Sequence, residues 1–306
     1  MTAEPLLSVL MTTYNRAQYV EASIASVLKS TYTNWELIIV DDCSIDNTSE
    51  LVEQYLHDKR IRFFNNEKNL GDYPNRNKAA SLAKGKYIKY LDSDDLIYPY
   101  GLEVMVTAME ACPEAGIGLT YNSYDNHEPF PICFRNEQTF LIHFFKKSIL
   151  FIGPSGCIYN RAYFEELGGF NTEFKVASDY DFNMRAALHK PIVLFQRDLF
   201  WWREHEGQEF VNSSKNNEYI IFNYLINKQT VENSSLNKTL KLIILKNNEI
   251  LMGRRLLKLV PKTPLTEFLR ILKLTKYPKI YFLRCVLPAI KLSPAVILFF
   301  ISCYIF

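Results

Sequence analysis

The sequence predicts an α/β fold, a doubly wound and mostly parallel sheet, followed by a C-terminal helical appendage that is both basic and apolar. Three observations predict it. Short apolar runs alternate with segments of helical period through about the first 110 residues. Two of those runs end in clusters of aspartate. After about residue 222 the composition shifts to Leu, Ile and Lys, broken by Pro261, Pro264, Pro278, Pro288 and Pro294.

The elements follow in order. Residues 6–11 (LLSVLM) form an apolar run that ends in the polar turn Thr12-Thr13-Tyr14-Asn15, after which Tyr19, Ile24, Val27 and Leu28 fall near helical spacing. The unit recurs: 36–40 (ELIIV) runs into Asp41-Asp42, 46–56 reads as a helix and 61–64 as a third strand. A fourth cycle has a helix-like 72–83, a strand 87–91 (YIKYL) ending at Asp92-Ser93-Asp94-Asp95, and a helix over 98–111. In a doubly wound sheet ligands sit beyond the carboxyl ends of the strands, which is where both acidic clusters lie. Residues 121–151 carry no recognisable code.

Composition narrows the function classes. With 306 residues, 48% apolar and 22% charged, the chain is neither collagen-like, low-complexity nor wholly disordered. Its length suits one large domain with an appendage, here 1–222 and 223–306. The net charge of +2 conceals an asymmetry, because 238–306 holds 13 Lys or Arg against Glu249 and Glu267. That is a local balance of +11, leaving −9 for 1–237. A basic, Leu/Ile/Phe-rich tail predicts a membrane surface as partner and no nucleic acid. Six scattered cysteines without a CxxC pair, and no charged-then-apolar leader before Leu6, predict reduced thiols and a cytosolic body. The five histidines lack zinc spacing, so any metal is expected on carboxylates.

No GxGxxG follows the first strand and no GxxxxGK[ST] occurs, which excludes an NAD-type fingerprint and a P-loop. Asp41/Asp42 and Asp92/Asp94/Asp95 end two different strands and can converge on one crevice. Several like charges there repel unless a divalent cation or hydrogen bonds compensate, so the pattern predicts Mg²⁺ or Mn²⁺ held with the phosphates of a nucleotide diphosphate. Aspartate and asparagine also cluster after strands because they favour turns and N-caps.

Six motifs in order carry a resemblance over about residues 6–210: LSVLMTTYNR (7–16), WELIIVDDCSIDNT (35–48), GDYPNRNKAASLAKGKYIKYLDSDD (71–95), GPSGCIYNR with GGF (153–170), SDYDFNMR (178–185) and WWREHEGQ (201–208). The sequence resembles a family 2 glycosyltransferase of the GT-A fold, inverting and non-processive. The resemblance implies that Thr12 and Tyr14 sit around the nucleobase with Arg16 beside them, that Tyr14 stacks on it and that Asp42 accepts from a base N–H. It implies that Arg76 lies near the nucleotide and that Asp92-Ser93-Asp94 is the DxD gripping ribose and the metal-bound diphosphate. The direct metal ligand is Asp94 or Asp95. The resemblance also places a catalytic base at Asp179, although Ser178 stands where the family usually has Glu. His205 is implied as a third metal ligand or a phosphate donor. Processive members carry QxxRW; WWREH instead implies addition of one or few sugars.

The residues support parts of this independently. Tyr14 after a strand offers a flat face worth about 1–3 kcal/mol of base stacking. Arg76 reaches the crevice only if its helix, starting near Asp72, aims its first turns there. A carboxylate that takes the proton of an acceptor hydroxyl contributes about 10²–10⁴ in rate, the task expected of Asp179. Ser178 with Asp181 also reads as a capping box, and Asp181 with Arg185 as an i,i+4 pair. Trp201 and Trp202 could platform a sugar ring or face core or membrane.

In the tail, 292–306 is uncharged but spans only roughly 22 Å as a helix, short of the roughly 30 Å hydrocarbon core, which predicts interfacial insertion. A span requires 286–306 to be one helix, with Lys291 snorkelling. The expected protein is thus a metal-dependent glycosyltransferase on the cytoplasmic face of the membrane, moving a sugar from a nucleotide diphosphate sugar, with a lean towards UDP, to a glycan or lipid-linked acceptor. The alternatives are a nucleotidyltransferase and a non-catalytic nucleotide-sugar or glycan-binding membrane protein.

Overall fold

The computed structural model describes residues 4–121, 129–205, 217–259 and 262–278. They divide into two compact units, within 1–208 and 209–306. The boundary expected at 222/223 falls inside the first helix of the second unit, which runs Glu218–Glu232.

The first unit alternates strand and helix. It begins with β1 (Leu7–Thr13), α1 (Val20–Leu28), β2 (Trp35–Asp41), α2 (Thr48–Glu53), β3 (Ile61–Asn65), α3 (Asp72–Ser81) and β4 (Tyr87–Tyr90). There follow β5 (Leu96–Ile97), α4 (Gly101–Ala111), β6 (Ile117–Tyr121), β7 (Ile132–Phe134), α5 (Asn136–Phe145), β8 (Cys157–Asn160), α6 (Arg161–Glu166), α7 (Ser178–His189), β9 (Ile192–Gln196) and β10 (Phe200–Trp201). Eight strands form one sheet in the order β3-β2-β1-β4-β8-β6-β9-β7, and β5 pairs with β10 as a separate ribbon.

β3, β2, β1 and β4 are mutually parallel. β8 runs antiparallel between β4 and β6, β9 is parallel to β6, and β7 closes the edge antiparallel to β9. The chain winds from β1 outward to β3 and then crosses to β4 on the other side of β1. A switch point therefore lies between β1 and β4, and the turns after β1, β2 and β4 leave the sheet at the same end. In register, Thr13 lies opposite Asp41 and Leu10 opposite Tyr90.

β1 and β2 read as unbroken apolar runs because both faces are covered. Leu7, Val9, Met11, Leu37 and Ile39 are fully buried with Ile24 and Val27 of α1 and with Met105 and Met109 of α4. At the far end from the switch point a polar clasp joins the first strands. Glu36 accepts from the Ser8 hydroxyl (2.6 Å), the Lys84 amide (2.7 Å) and Arg62 Nη2 (2.9 Å). Gly85 donates its amide to Ser8 Oγ (2.8 Å), and a Cβ on Gly85 would lie 2.6 Å from the Leu6 carbonyl oxygen, so the backbones meet there only through glycine.

One expectation is corrected. Cys112, at the end of α4, and Cys133, in β7, form a disulfide with Cα atoms 6.5 Å apart, whereas Cys43 and Cys157 are free. α4 packs along β9, whose other neighbour is β7, and this tertiary adjacency brings together two thiols 21 residues apart.

The second unit contains α8 (Glu218–Glu232), α9 (Lys238–Leu259) and α10 (Leu265–Thr275), packed through Ile221, Tyr224, Met252, Leu256, Phe268 and Ile271. Tyr224 donates to Glu249 Oε1 (2.8 Å) and Tyr277 to the Glu249 carbonyl (2.6 Å), which closes the bundle at its last described residues. Among the described residues no helix is long and apolar enough to cross a membrane. The segment 292–306 lies outside the described residues.

Replacing Glu36 by Ala removes the acceptor of the Ser8 hydroxyl and the carboxylate partner of Arg62, leaving Arg62 Nη2 only the Leu82 carbonyl and the Lys84 amide only Ser8 Oγ at 3.2 Å. The expected loss is about 2–4 kcal/mol of unfolding free energy in urea titration. A loss below about 0.5 kcal/mol would show that the clasp contributes nothing net.

Candidate active site

The turn after β1 is built by short polar residues. Asn15 takes a positive φ of 52°, which asparagine tolerates, and its carboxamide oxygen accepts from the Ile45 amide (2.9 Å). Asn15 N donates to Ser44 Oγ (2.8 Å) and Arg16 N to Thr48 Oγ1 (2.9 Å), so the turns after β1 and β2 are clipped together. Asp41 holds this loop from below, accepting from the Ser44 amide (2.8 Å) and hydroxyl (2.5 Å). Above the clip Tyr14 presents a ring that is 44% exposed, close to the half-buried Thr12 at the strand end. Asp42 is turned inward: it accepts from Asn66 Nδ2 (2.7 Å) and from the amides of Leu70 (2.8 Å) and Gly71 (2.9 Å). The residue implied as a base acceptor thus folds the loop that leads into α3, because three protein donors already converge on it.

α3 starts at that loop and aims its first turns at the switch point. Arg76, 8% exposed, donates to Asp72 Oδ1 (2.7 Å) and pairs with Asp92 Oδ1 through Nη2 (2.8 Å). Its Nη1 is buried without a hydrogen-bond partner among the described residues. Burial alone would neutralise Asp92, but Arg76, with help from Lys89 and Ser155, holds its carboxyl below the ordinary value.

The rest of the acidic turn is met from the turn after β1 and from residues 203–205. Asp94 Oδ2 accepts from Arg16 Nε and His205 Nε2, both at 2.9 Å. Asp95 Oδ1 accepts the Arg203 amide (3.1 Å), and Arg203 Nε donates to the Asp94 carbonyl (2.9 Å). The strand β10 therefore brings 203–205 back over the turn. Arg203 lies 4.7 Å from the Trp201 ring centre and 5.0 Å from that of Tyr19, and Tyr19 packs against His205. Trp201 and Trp202 are both exposed.

Carboxylate oxygens of Asp92, Asp94 and Asp95 lie within 4.8 Å of one another. Burial, then the charge of Asp92, pushes Asp95 up to about 7, and its Oδ2 is buried with no partner among the described residues. An all-oxygen set with an unpartnered buried acceptor fits a hard divalent cation such as Mg²⁺ or Mn²⁺.

Asp179 arrives from α7. Ser178 does not form the expected capping box; its hydroxyl donates to the carbonyls of Asn171 (2.7 Å) and Lys175 (2.6 Å), because the chain entering α7 kinks at Lys175 (φ 46°) and needs those carbonyls tied. Asp181 does pair with Arg185 (2.8 Å), which also binds the carbonyls of Leu167 and Gly169. Asp179 Oδ1 accepts its neighbour's amide, Tyr180 N (2.7 Å). Burial pushes Asp179 up to about 7, against that hydrogen bond and the charge of Arg76. The wall facing Oδ2 is Gly153, where a Cβ would sit 3.8 Å away.

Sequence reasoning passed over Asp72, Lys89, Ser155 and Arg203. Lys89 had a visible signal, a charge inside an apolar strand: it is fully buried, donates to the carbonyls of Tyr90 and Ser155, and burial lowers it to about 8. Ser155 Oγ in turn accepts the Asp92 amide (3.3 Å).

A doubly wound sheet with its switch-point crevice, a DSDD turn and an aspartate facing it from a later helix defines a GT-A type of protein. The chain belongs to glycosyl transferase family 2, whose model matches residues 8–168. It is 34% identical over 198 residues to a protein named for colanic acid biosynthesis, the glycosyl transferase WcaA of Escherichia coli K12, which covers 61% of this chain and 68% of that one. It is 40% identical over 120 residues to the UDP-Glc:alpha-D-GlcNAc-diphosphoundecaprenol beta-1,3-glucosyltransferase WfgD of Escherichia coli, covering 39% and 46%. The chain matches between 37% and 68% of the length of these and a further curated relative. Among solved structures it is similar to Staphylococcus aureus TarS 1–349 in complex with UDP-GlcNAc, with a TM-score of 0.71, 22% identity and coverage of 90% of this chain and 82% of that one.

A cation on the acidic turn requires Asp95 ionised, and its carboxyl is raised to about 7, so Mn²⁺ affinity of the free protein is expected to rise as pH climbs from 6 to 8. Asp94→Asn should weaken Mn²⁺ binding by about tenfold or more. Calorimetric titration checks both, and a pH-independent affinity that survives Asp94→Asn would remove the turn as the cation site.

Proposed function

We propose that this chain is a metal-dependent, inverting glycosyltransferase that moves one sugar from a nucleotide diphosphate sugar, most simply a UDP-sugar, to a hydroxyl of a lipid-linked glycan during surface polysaccharide synthesis. The observation that carries this reading is that Arg76, paired with Asp92 of the acidic turn, also acts by its charge on Asp179, which burial pushes up to about 7 beside the open Gly153. A general base and a diphosphate-binding turn then share one crevice. Family membership supports glycosyl transfer, and the relatives named for a diphosphoundecaprenol acceptor and for colanic acid support the acceptor class.

In this reading Tyr14 stacks on the nucleobase, Thr12 and Arg16 line its approach, and Asp42 shapes the pocket through the loop before α3. Asp92, oriented by Arg76, accepts from the ribose. Asp94 and Asp95 would hold Mg²⁺ or Mn²⁺ with His205 at their side, and the cation would neutralise charge developing on the departing diphosphate. Arg16, paired with Asp94 at 2.9 Å, would bring its guanidinium to the side where a diphosphate is held. Asp179 takes the proton of the acceptor hydroxyl at the Gly153 gap while the oxygen attacks the anomeric carbon. One in-line displacement breaks the bond to the diphosphate and inverts the configuration, with no covalent enzyme intermediate.

The membrane role rests on charge and composition. Exposed Arg270, Lys273 and Lys276 lie near the last described residues of the second unit and precede the apolar segment 292–306 in sequence. Each basic residue near an anionic leaflet contributes about 1 kcal/mol, and the apolar segment adds attraction that salt does not screen. The protein is thereby held at the cytoplasmic face.

Two outcomes test the proposal. Asp179→Asn should leave UDP binding near normal and reduce kcat by about 10² or more, measured as sugar transfer from UDP-sugars to a lipid diphosphate-linked acceptor. More than about a tenth of wild-type kcat would remove Asp179 as base. Deleting 280–306 leaves the described helical core through Tyr277 intact and should abolish flotation with anionic liposomes while preserving UDP binding. A full-length protein that stays behind in flotation at low salt would exclude membrane docking.

A further inference from the structure

We infer that Gly153 determines which nucleophile reaches the base. The side chain it lacks leaves room beside Asp179 Oδ2 for a hydroxyl that carries a carbon, as a sugar acceptor does and water does not. The inference rests on the reading of Asp179 as acceptor base. Gly153 is exposed, and its backbone has no need of glycine. Its φ of −69° and ψ of 164° are extended values that any residue adopts, and Pro154 after it favours that conformation sterically. Alanine at such a position narrows the conformations open to the unfolded chain and so adds stability. The glycine therefore weakens the fold slightly, and what it provides instead is volume. Outside its chain neighbours, and among the described residues, a Cβ here would have one heavy atom within 4 Å: Asp179 Oδ2 at 3.8 Å.

Both walls of this gap are tied to one helix. Asp179 lies in the first turn of α7 and Asn183 one turn further along, on the same face. Asn183 is fully buried, and its Nδ2 donates to the carbonyls of Leu150 (3.0 Å) and Ile152 (2.9 Å), the latter next to Gly153. The Gly153 carbonyl accepts from Cys157 Sγ (3.2 Å) and from the Gly156 amide (2.9 Å), and the Ser155 carbonyl accepts from buried Lys89. The carbonyls of Leu150, Ile152, Gly153 and Ser155 are thus all held by buried donors. The segment cannot recede from an added group without breaking those bonds, each of which is costly to leave unmade.

A hydroxyl bonded to Oδ2 lies about 2.5–3.0 Å from it. A methyl at 3.8 Å fills the approach from the 153 side. Water can use the remaining directions because it brings no carbon, whereas an alcohol needs room for its carbon as well. In the transfer step the acceptor oxygen bonds to the anomeric carbon, the bond from that carbon to the diphosphate oxygen breaks, and the hydroxyl proton passes to Asp179. With water the same balance gives free sugar; with an alcohol it gives a glycoside. The ratio of those products reports the gap and cancels effects on donor binding, because both nucleophiles meet the same bound donor.

The test uses the full chain with Mn²⁺, UDP-GlcNAc or UDP-glucose as donor, and methanol or glycerol as the alcohol, with glycoside and free sugar counted separately. In Gly153→Ala the glycoside-to-free-sugar ratio is expected to fall by about tenfold or more, the discrimination that one carbon imposes in a closed site. UDP affinity by calorimetry should stay within about twofold, because the acidic turn and α3 are untouched, and the melting temperature should not fall. A ratio unchanged in Gly153→Ala overturns the inference, as does one that changes only with a lowered melting temperature. Asp179→Asn separates this result from the functional reading. If it keeps wild-type turnover, or if the wild-type protein turns over neither UDP-sugar, that reading falls and the inference with it. If it loses turnover while Gly153→Ala keeps the wild-type ratio, the inference alone falls.

Discussion

Arg76 is the cation on which the crevice depends. It pairs with Asp72 and Asp92, and its charge also acts on Asp179, which arrives from α7. Burial works against its charge, but Asp72 and Asp92 more than offset that and hold its guanidinium above even arginine's ordinary range. Removing a buried cation from among such carboxylates would leave them to protonate or separate, which costs several kcal/mol. The position of α3 over β1 and β2, fixed by the inward-turned Asp42 and by Tyr90 donating to the Arg76 carbonyl (2.9 Å), is what keeps this ion-pair set in place.

The same enclosure sets a tension between stability and chemistry. Asp95 and Asp179 both titrate near 7 in the fold, far above the ordinary value of about 3.9 for an unfolded aspartate. Between those limits the folded state binds more protons than the unfolded one, so stability falls as pH rises from about 4 to 7 and stays lower above. The two carboxylates become useful, as ligand and as base, in the range where they weaken the fold. The apolar packing of β1 and β2 against α1 and α4, with side chains at zero exposure, supplies the reserve that tolerates this.

The return of residues 203–205 over the acidic turn shows how aromatic and cationic groups substitute for regular structure. β10 has only two residues, yet Arg203 is held by an aspartate carbonyl, by its own amide on Asp95 and by two ring faces. Such a segment has few backbone ladder bonds, and its order comes from the acidic turn it covers.

Much of the fold was legible in the chain, because strand and helix periods and turn chemistry are local properties. The runs 6–11, 36–40 and 87–91 became β1, β2 and β4, and the acidic residues that follow β2 and β4 had to leave the sheet at one end once those strands were parallel. The order of six short motifs was enough to identify the family. Tertiary structure alone decided the rest, since those features depend on which elements become neighbours. Cys112 meets Cys133 only because β7 pairs with β9; Ser178 ties a kinked entry instead of capping its helix; Asp42 turns to the loop before α3 because three donors converge there. The approach of Asp179 to Gly153, where a Cβ would lie 3.8 Å from Oδ2, has no trace in periodicity or composition, because it exists only after α7 has packed beside the segment that leads into β8.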